Sequence, residues 1–255
     1  MIINMNYNPF SLAGKTILVT GASSGIGRSI AVECSKMGAR VVITARNENR
    51  LAQTQSLMVG SDHLVLTADL SEEAQIEALV EHLPLLDGVV HCAGVAVRKP
   101  AQAIKQSDID SVFAPNVIAP MLLQKHLLKK KRLVKGASVV FIASRAPFAP
   151  AVGNAVYSAS KGAIIGYAKT LGLELAPKQI RVNCVCPAMV WTDLIRRDAE
   201  SLGEDFAAAE ARYPLKRFGQ PEDVAWLSVY LLSDASSWMT GSCIDITGGG
   251  ELTLV

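Results

Sequence analysis

Tyr157 and Lys161 stand four residues apart in Tyr157-Ser158-Ala159-Ser160-Lys161, with only small residues between them. On a helix, that spacing puts a phenol and an ammonium on one face. A free tyrosine titrates near pH 10, roughly, and is a poor acid or base at neutrality. A fixed neighbouring cation favours the phenolate form. The pair is therefore suited to proton transfer. Tyr and Lys at this spacing also occur on ordinary surface helices, so the meaning of the pair depends on its surroundings.

A second motif, Thr20-Gly21-Ala22-Ser23-Ser24-Gly25-Ile26-Gly27, lies where an apolar β-branched run gives way to an amphipathic stretch. Glycines there permit a sharp turn and close approach of a pyrophosphate to the backbone amides. A helix N-terminus adds open N–H groups and positive potential. The spacing is Gly-x-x-x-Gly-x-Gly, and the strand–turn–helix context points to dinucleotide binding. The second apolar run ends in Thr44-Ala45-Arg46. An acid at that point would accept a ribose 2′-hydroxyl, whereas a guanidinium pairs with a 2′-phosphate. Arg46 therefore favours NADP(H), with NAD(H) as the alternative.

These groups need elements to hold them. Apolar runs at Thr16–Thr20, Arg40–Thr44, His63–Ala68, Gly88–His91, Ser138–Ala143, Ile180–Val185 and Cys243–Ile246 read as strands. Helices are expected at Ile26–Met37, Glu48–Met58, Glu72–His82 with Ser71 as N-cap, Ser107–Lys130, Ala155–Leu175 and Glu222–Leu232, with a helical region near Thr192–Arg212. Short strands alternating with helices imply βαβ units and a parallel sheet apolar on both faces. The predicted fold is a single α/β domain, a doubly wound parallel sheet of about seven strands flanked by helices, over residues 12–255 after an N-terminal extension at 1–11.

Composition agrees. The chain has 255 residues, is 50% hydrophobic and 19% charged, and carries a net charge of +2. That is enough to bury a large core, and it gives no bulk argument for nucleic acid or membrane binding. The five cysteines show no Cys-x-x-Cys spacing and read as reduced thiols. The four histidines show no ligand pattern, so no metal is expected. No signal peptide or membrane span is recognised, and a cytoplasmic location is expected.

Taken together, the motifs resemble the short-chain dehydrogenase/reductase family over about residues 12–250. The resemblance implies a Rossmann fold and a catalytic tetrad of Asn116, Ser144, Tyr157 and Lys161. It also implies cofactor contacts from Gly21, Ser23, Ser24, Gly25, Ile26, Gly27, Arg46, Asp69, Leu70, Cys92, Ala93, Gly94, Tyr157, Lys161, Pro187, Val190 and Thr192. Two departures stand out. His91-Cys92-Ala93-Gly94 replaces the family's Asn-Asn-Ala-Gly, and Ala188 replaces the glycine of its Pro-Gly-x-x-x-Thr segment.

The implied reaction is hydride transfer between NADPH and a ketone, with Tyr157 as acid or base, Lys161 beside it, Ser144 on the substrate oxygen and Asn116 holding a water. Residues 190–213 are the implied substrate lid. Within the family, the chain most resembles 3-oxoacyl-[acyl-carrier-protein] reductases. Lys129, Lys130, Lys131, Arg132 and Lys178 stand where such enzymes dock an acidic acyl carrier protein, although they equally fit solvated helix ends. The prolines of Arg145–Pro150 depart from that group and point instead to another small alcohol or ketone, such as a sugar, polyol, steroid or diketone. A non-catalytic dinucleotide sensor is a further alternative, and a homotetramer is expected.

Overall fold

Seven strands form one parallel sheet in the order β3-β2-β1-β4-β5-β6-β7. They are β1 (Thr16–Thr20), β2 (Arg40–Ala45), β3 (Leu64–Thr67), β4 (Leu86–His91), β5 (Leu133–Ile142), β6 (Arg181–Pro187) and β7 (Cys243–Ile246). The helices are α1 (Gly25–Lys36), α2 (Glu48–Ser56), α3 (Glu73–His82), α4 (Gln106–Phe113), α5 (Ala119–Lys129), α6 (Ala155–Leu175), α7 (Phe206–Arg212) and α8 (Pro221–Leu232). The computed structural model describes residues 7–192, 195 and 206–250. Expectations for residues 1–6, for the lid at 193, 194 and 196–205, and for the apolar tail 251–255 fall outside the described residues.

The central strands β1, β2, β4 and β6 and the second part of β5 are buried almost throughout because helices cover both faces, whereas the edge strands β3 and β7 are only partly buried. Ile17, Val19, Val41 and Ile43 pack with Ile30, Ala31 and Cys34 of α1 and with Val224 and Ala225 of α8. Val139, Phe141, Val182 and Cys184 pack with Ile164, Ile165, Ala168 and Leu171 of α6. Each fully buried Leu or Ile contributes about 2 kcal/mol. A one-residue slip of a central strand would send each side chain to the opposite helix layer and break both sets of packing contacts, so this packing fixes the register. β1 pairs with both β2 and β4, so the strand order reverses there. In doubly wound sheets, the crevice at the carboxyl ends beside such a point is the ligand site.

Several boundaries differ from expectation. β5 starts at Leu133, five residues before Ser138, because Leu133 pairs with Leu86 ahead of a register irregularity. Lys135 and Gly136 are exposed within that early part, and Gly136 adopts φ +86°. The residue capping α3 is Glu72 and not Ser71, and no side chain caps that end. The expected helix Ser107–Lys130 is broken by a π turn at Ala114–Ile118. The cause lies in the sequence: Pro120 has no N–H to give the Asn116 carbonyl four residues earlier, and its ring crowds that carbonyl. The turn widens, and Ala119 N bonds Ala114 O five residues back. No helix among the described residues is long and apolar enough to cross a membrane.

Candidate active site

A cleft of about 1190 Å³ opens at the carboxyl ends of the strands. Its floor begins at the turn after β1. Gly21 adopts φ +66° and Gly25 φ +51°, conformations that favour glycine. A Cβ at Gly21 would lie 2.7 Å from Ala93 Cα, and one at Gly27 would strike the Gly21 carbonyl. The turn is thus packed as tightly as backbone allows. Ser24 precedes α1 without capping it through its side chain, which leaves the helix N-terminus open toward the cleft. This cradle fits a pyrophosphate.

Side chains far away in sequence brace the turn. Thr20 Oγ1 accepts from Cys92 N at 3.0 Å and Ala93 N at 3.1 Å, tying the end of β1 to the loop after β4. Arg28 donates to the Ser23 carbonyl at 2.6 Å and to Thr54 Oγ1 at 3.0 Å. Thr54 Oγ1 in turn donates to the Ala22 carbonyl at 2.8 Å. Sequence reading placed Thr20 in the glycine motif without its bracing bonds and missed Arg28 and Thr54, because these contacts reach to other elements.

Every residue expected at the cofactor lines this cleft, from Gly21, Ser23, Ser24, Gly25, Ile26 and Gly27 through Arg46, Asp69, Leu70, Cys92, Ala93 and Gly94 to Pro187, Val190 and Thr192. Arg46 is exposed at its rim, beside Asn47, whose side chain caps α2 by accepting from Arg50 N at 2.9 Å. Thr192 closes over the glycine turn: its Cγ2 lies 3.4 Å from where a Gly25 Cβ would stand.

Ser144, Tyr157 and Lys161 line the same cleft. Ser144 follows β5, and its Oγ accepts from Ala146 N at 3.1 Å. Tyr157 and Lys161 share one face of α6, with Lys161 Nζ 5.8 Å from the centre of the Tyr157 ring. Lys161 is 7% exposed and donates to the Ile142 carbonyl at 2.8 Å, which orients the ammonium.

Asn116 does not line the main cleft. It sits behind, beside a void of about 10 Å³ that Lys161, His91 and Thr20 also border. Its Oδ1 accepts from Val95 N at 2.8 Å, and its Nδ2 donates to Val95 O at 2.9 Å and to Ser160 Oγ at 3.0 Å. Ser160 Oγ donates to the Tyr157 carbonyl at 2.7 Å. Both amide protons are spent inside the protein. Ser160, which carried no role in the sequence reading, links Asn116 to the turn of α6 that bears Tyr157.

His91 takes the place of an asparagine by turning inward. Its ring stacks on Phe141 at 4.5 Å, and Nε2 faces Gln124 Oε1 at 3.2 Å. No protein group bonds Nδ1 or Gln124 Nε2. Burial holds the imidazole down at about 4, only partly offset by the Gln124 hydrogen bond, so it is neutral at pH 7.

At the substrate end, Arg145 forms an ion pair with Asp245 at 2.8 Å and lies 4.7 Å from the centre of the Phe148 ring. Ile195, Tyr213 and Gly250 also line the cleft. Trp191, Phe206, Tyr213 and Phe218 form an aromatic cluster that anchors the described parts of the expected lid. Glu210 Oε1 accepts from Trp191 Nε1 at 2.7 Å and Phe218 N at 3.0 Å, and these bonds hold its carboxyl below the usual range. Glu210, too, was not legible in the sequence.

Among the described residues, the fold brings together one group of side chains with the donor types and spacing to hold a metal, which sequence spacing did not reveal: Glu73, Glu77 and His126. None of them lines the cleft. Lys125 and His126 already hydrogen-bond Glu73, at 2.8 and 2.9 Å, and hold its carboxyl down.

The family profile described as Enoyl-(Acyl carrier protein) reductase matches residues 21–251. The chain belongs to the short-chain dehydrogenase/reductase family. It is an oxidoreductase of the NAD(P)-dependent class. It is 37% identical to an L-xylulose reductase of Caenorhabditis elegans, covering 94% of this chain and 97% of that one. It is 34% identical to a 3-oxoacyl-[acyl-carrier-protein] reductase of Rickettsia conorii, covering 93% and 97%. Among solved structures, a Pseudomonas aeruginosa RhlG/NADP active-site complex matches with a TM-score of 0.88 and 32% identity, covering 96% and 100% of the two chains.

Proposed function

We propose that this enzyme reduces a small ketone to a secondary alcohol with NADPH. The convergence of Ser144, Tyr157 and Lys161 on the cleft that holds the glycine turn carries this reading. When bound, the dinucleotide supplies the hydride. The protein's own groups manage charge and protons. Negative charge grows on the substrate oxygen, and the Ser144 hydroxyl donates a hydrogen bond there. The Tyr157 hydroxyl donates the proton that completes the alcohol. Lys161, fixed by the Ile142 carbonyl, provides positive charge beside the phenol. Asn116 acts as a positioning residue through Ser160 and Val95. In the reverse direction Tyr157 takes the proton.

NADPH over NADH rests on Arg46 at the rim and on the absence of an acid in Thr44-Ala45-Arg46. Its guanidinium suits a 2′-phosphate.

For the ketone, we favour a small free substrate, as the L-xylulose reductase relative would take, over a carrier-bound acyl chain. Of the five cations proposed to dock a carrier protein, Lys130 is paired with Glu81, and Arg132 bonds the Val80 and Glu81 carbonyls. Lys129, Lys131 and Lys178 remain for steering an acidic partner. The second reading, a 3-oxoacyl thioester, is supported by the 3-oxoacyl-[acyl-carrier-protein] reductases among the relatives. Exposed Leu173, Trp226 and Trp238 support assembly as a homotetramer, with light scattering at micromolar concentration as the check.

A panel of ketoses, diketones and acetoacetyl thioesters, each with NADPH and NADH, tests the proposal. Turnover of a small ketone with NADPH at least ten times the kcat/KM of the thioester supports it. Binding of NADPH with no turnover of any ketone would favour the sensor reading instead.

A further inference from the structure

Three of the five thiols gather outside the catalytic machinery. Cys184 and Cys243 are register partners on the adjacent parallel strands β6 and β7. Cys186 stands two residues along β6, and all three face the core layer under α6. Cys184 and Cys186 are fully buried, whereas Cys243 is partly exposed. β7 is the last strand of the sheet, so among the described residues Cys243 lies on an edge strand.

From this arrangement we infer that Cys243 is a peroxide-reactive thiol and that Cys184 resolves it into a disulfide. Partners on adjacent strands have Cα atoms about 5 Å apart. A disulfide requires Cα atoms about 4.4–6.8 Å apart, and register partners fall within that range. The environment agrees with the geometry. The Cys184 hydrogen bond and the Lys169 ammonium hold the Cys243 thiol below its usual range, against its partial burial and the charge of Asp245, while the same hydrogen bond and burial push the Cys184 thiol well up, so that Cys184 keeps its proton until it attacks. Burial pushes Cys34, Cys92 and Cys186 up to about 12. A thiolate is the nucleophile, so at neutral pH Cys243 reacts first.

The chemistry balances with a hydroperoxide as oxidant. The Cys243 thiolate attacks the terminal peroxide oxygen; an S–O bond forms, the O–O bond breaks, and the remainder leaves as water or an alcohol. The Cys184 sulfur then attacks the sulfenic acid. The S–S bond forms, the S–O bond breaks, and the hydroxyl leaves as water with the Cys184 proton. The two sulfurs lose two electrons, which the peroxide takes.

The test uses the native enzyme in its own oligomeric state. N-ethylmaleimide labelling at pH 7, without oxidant, reads thiol reactivity by peptide mass spectrometry. Cys243 should label at least ten times faster than each of the other four. Hydrogen peroxide should then yield a Cys184–Cys243 linked peptide, two hydrogens lighter and reversed by dithiothreitol. Cys184→Ser should retain a dimedone-trappable sulfenic acid at Cys243. Labelling of Cys243 no faster than Cys92, a link from Cys243 to Cys186, or a Cys243 that stays reduced under excess peroxide would each overturn the inference. The wild-type measurements decide the question even if a variant misfolds, and none of them depends on the substrate.

Discussion

Asn116 and Val95 are joined in both directions: the side-chain amide accepts from Val95 N at 2.8 Å and donates to Val95 O at 2.9 Å. The side chain thus stands in for a strand partner and holds the loop after β4 against the π turn. Asn116→Ala leaves both Val95 groups without that partner, at about 1–3 kcal/mol for each one kept from water. Urea unfolding should show a loss of about 2–4 kcal/mol, and kcat should fall at least tenfold. Full activity with unchanged stability would remove the positioning role.

Gly21 faces two penalties if substituted. Its φ of +66° disfavours any side chain, and a Cβ would lie 2.7 Å from Ala93 Cα. Gly14, at φ +77° with nothing within 4 Å, faces only the first, about 1–2 kcal/mol. Fluorescence titration should show Gly21→Ala weakening NADPH binding at least a hundredfold, while Gly14→Ala binds as wild type. Equal affinity in the two variants would contradict the tight turn.

Cofactor choice follows from charge. Arg46→Asp replaces a 2′-phosphate partner with a repelling carboxylate that accepts a 2′-hydroxyl instead. The ratio of kcat/KM for NADPH over NADH should drop at least tenfold, about 1.4 kcal/mol. An unchanged ratio would move selection to another residue at the rim.

Buried His91 makes stability depend on pH. Its folded imidazole is held at about 4, against 6.5 in the unfolded chain. Below pH 6.5 the unfolded chain takes up a proton that the folded one refuses, so stability falls as pH drops, until the folded imidazole also protonates near 4. Between pH 7 and 5 this costs about 2 kcal/mol. His91→Asn should lose less stability than wild type over that interval by about this amount, measured by urea unfolding at both pH values. Parallel losses would show that His91 is not the titrating group.

The strand-and-helix alternation was legible because each strand is covered on both faces and each helix carries one apolar stripe. The glycine turn and the Tyr157–Lys161 pair were legible because their chemistry is local in sequence. The break at Ala114–Ile118 could have been read from Pro115 and Pro120, but the apolar periodicity on either side masked it. What escaped was long-range. Arg28 reaches Thr54, Glu210 gathers Trp191 and Phe218, and Lys161 finds the Ile142 carbonyl. Such contacts depend on how elements meet, which one sequence does not print. The early start of β5 escaped because Lys135 and Gly136 interrupt its apolar run.

Tyr157→Phe tests the central claim most directly, since it deletes one hydroxyl and keeps the ring beside Lys161. Stopped-flow reduction of a small ketone should show NADPH bound with near-wild-type affinity and its oxidation slowed at least a thousandfold. Oxidation within tenfold of the wild-type rate would contradict the assignment of Tyr157 as the proton donor.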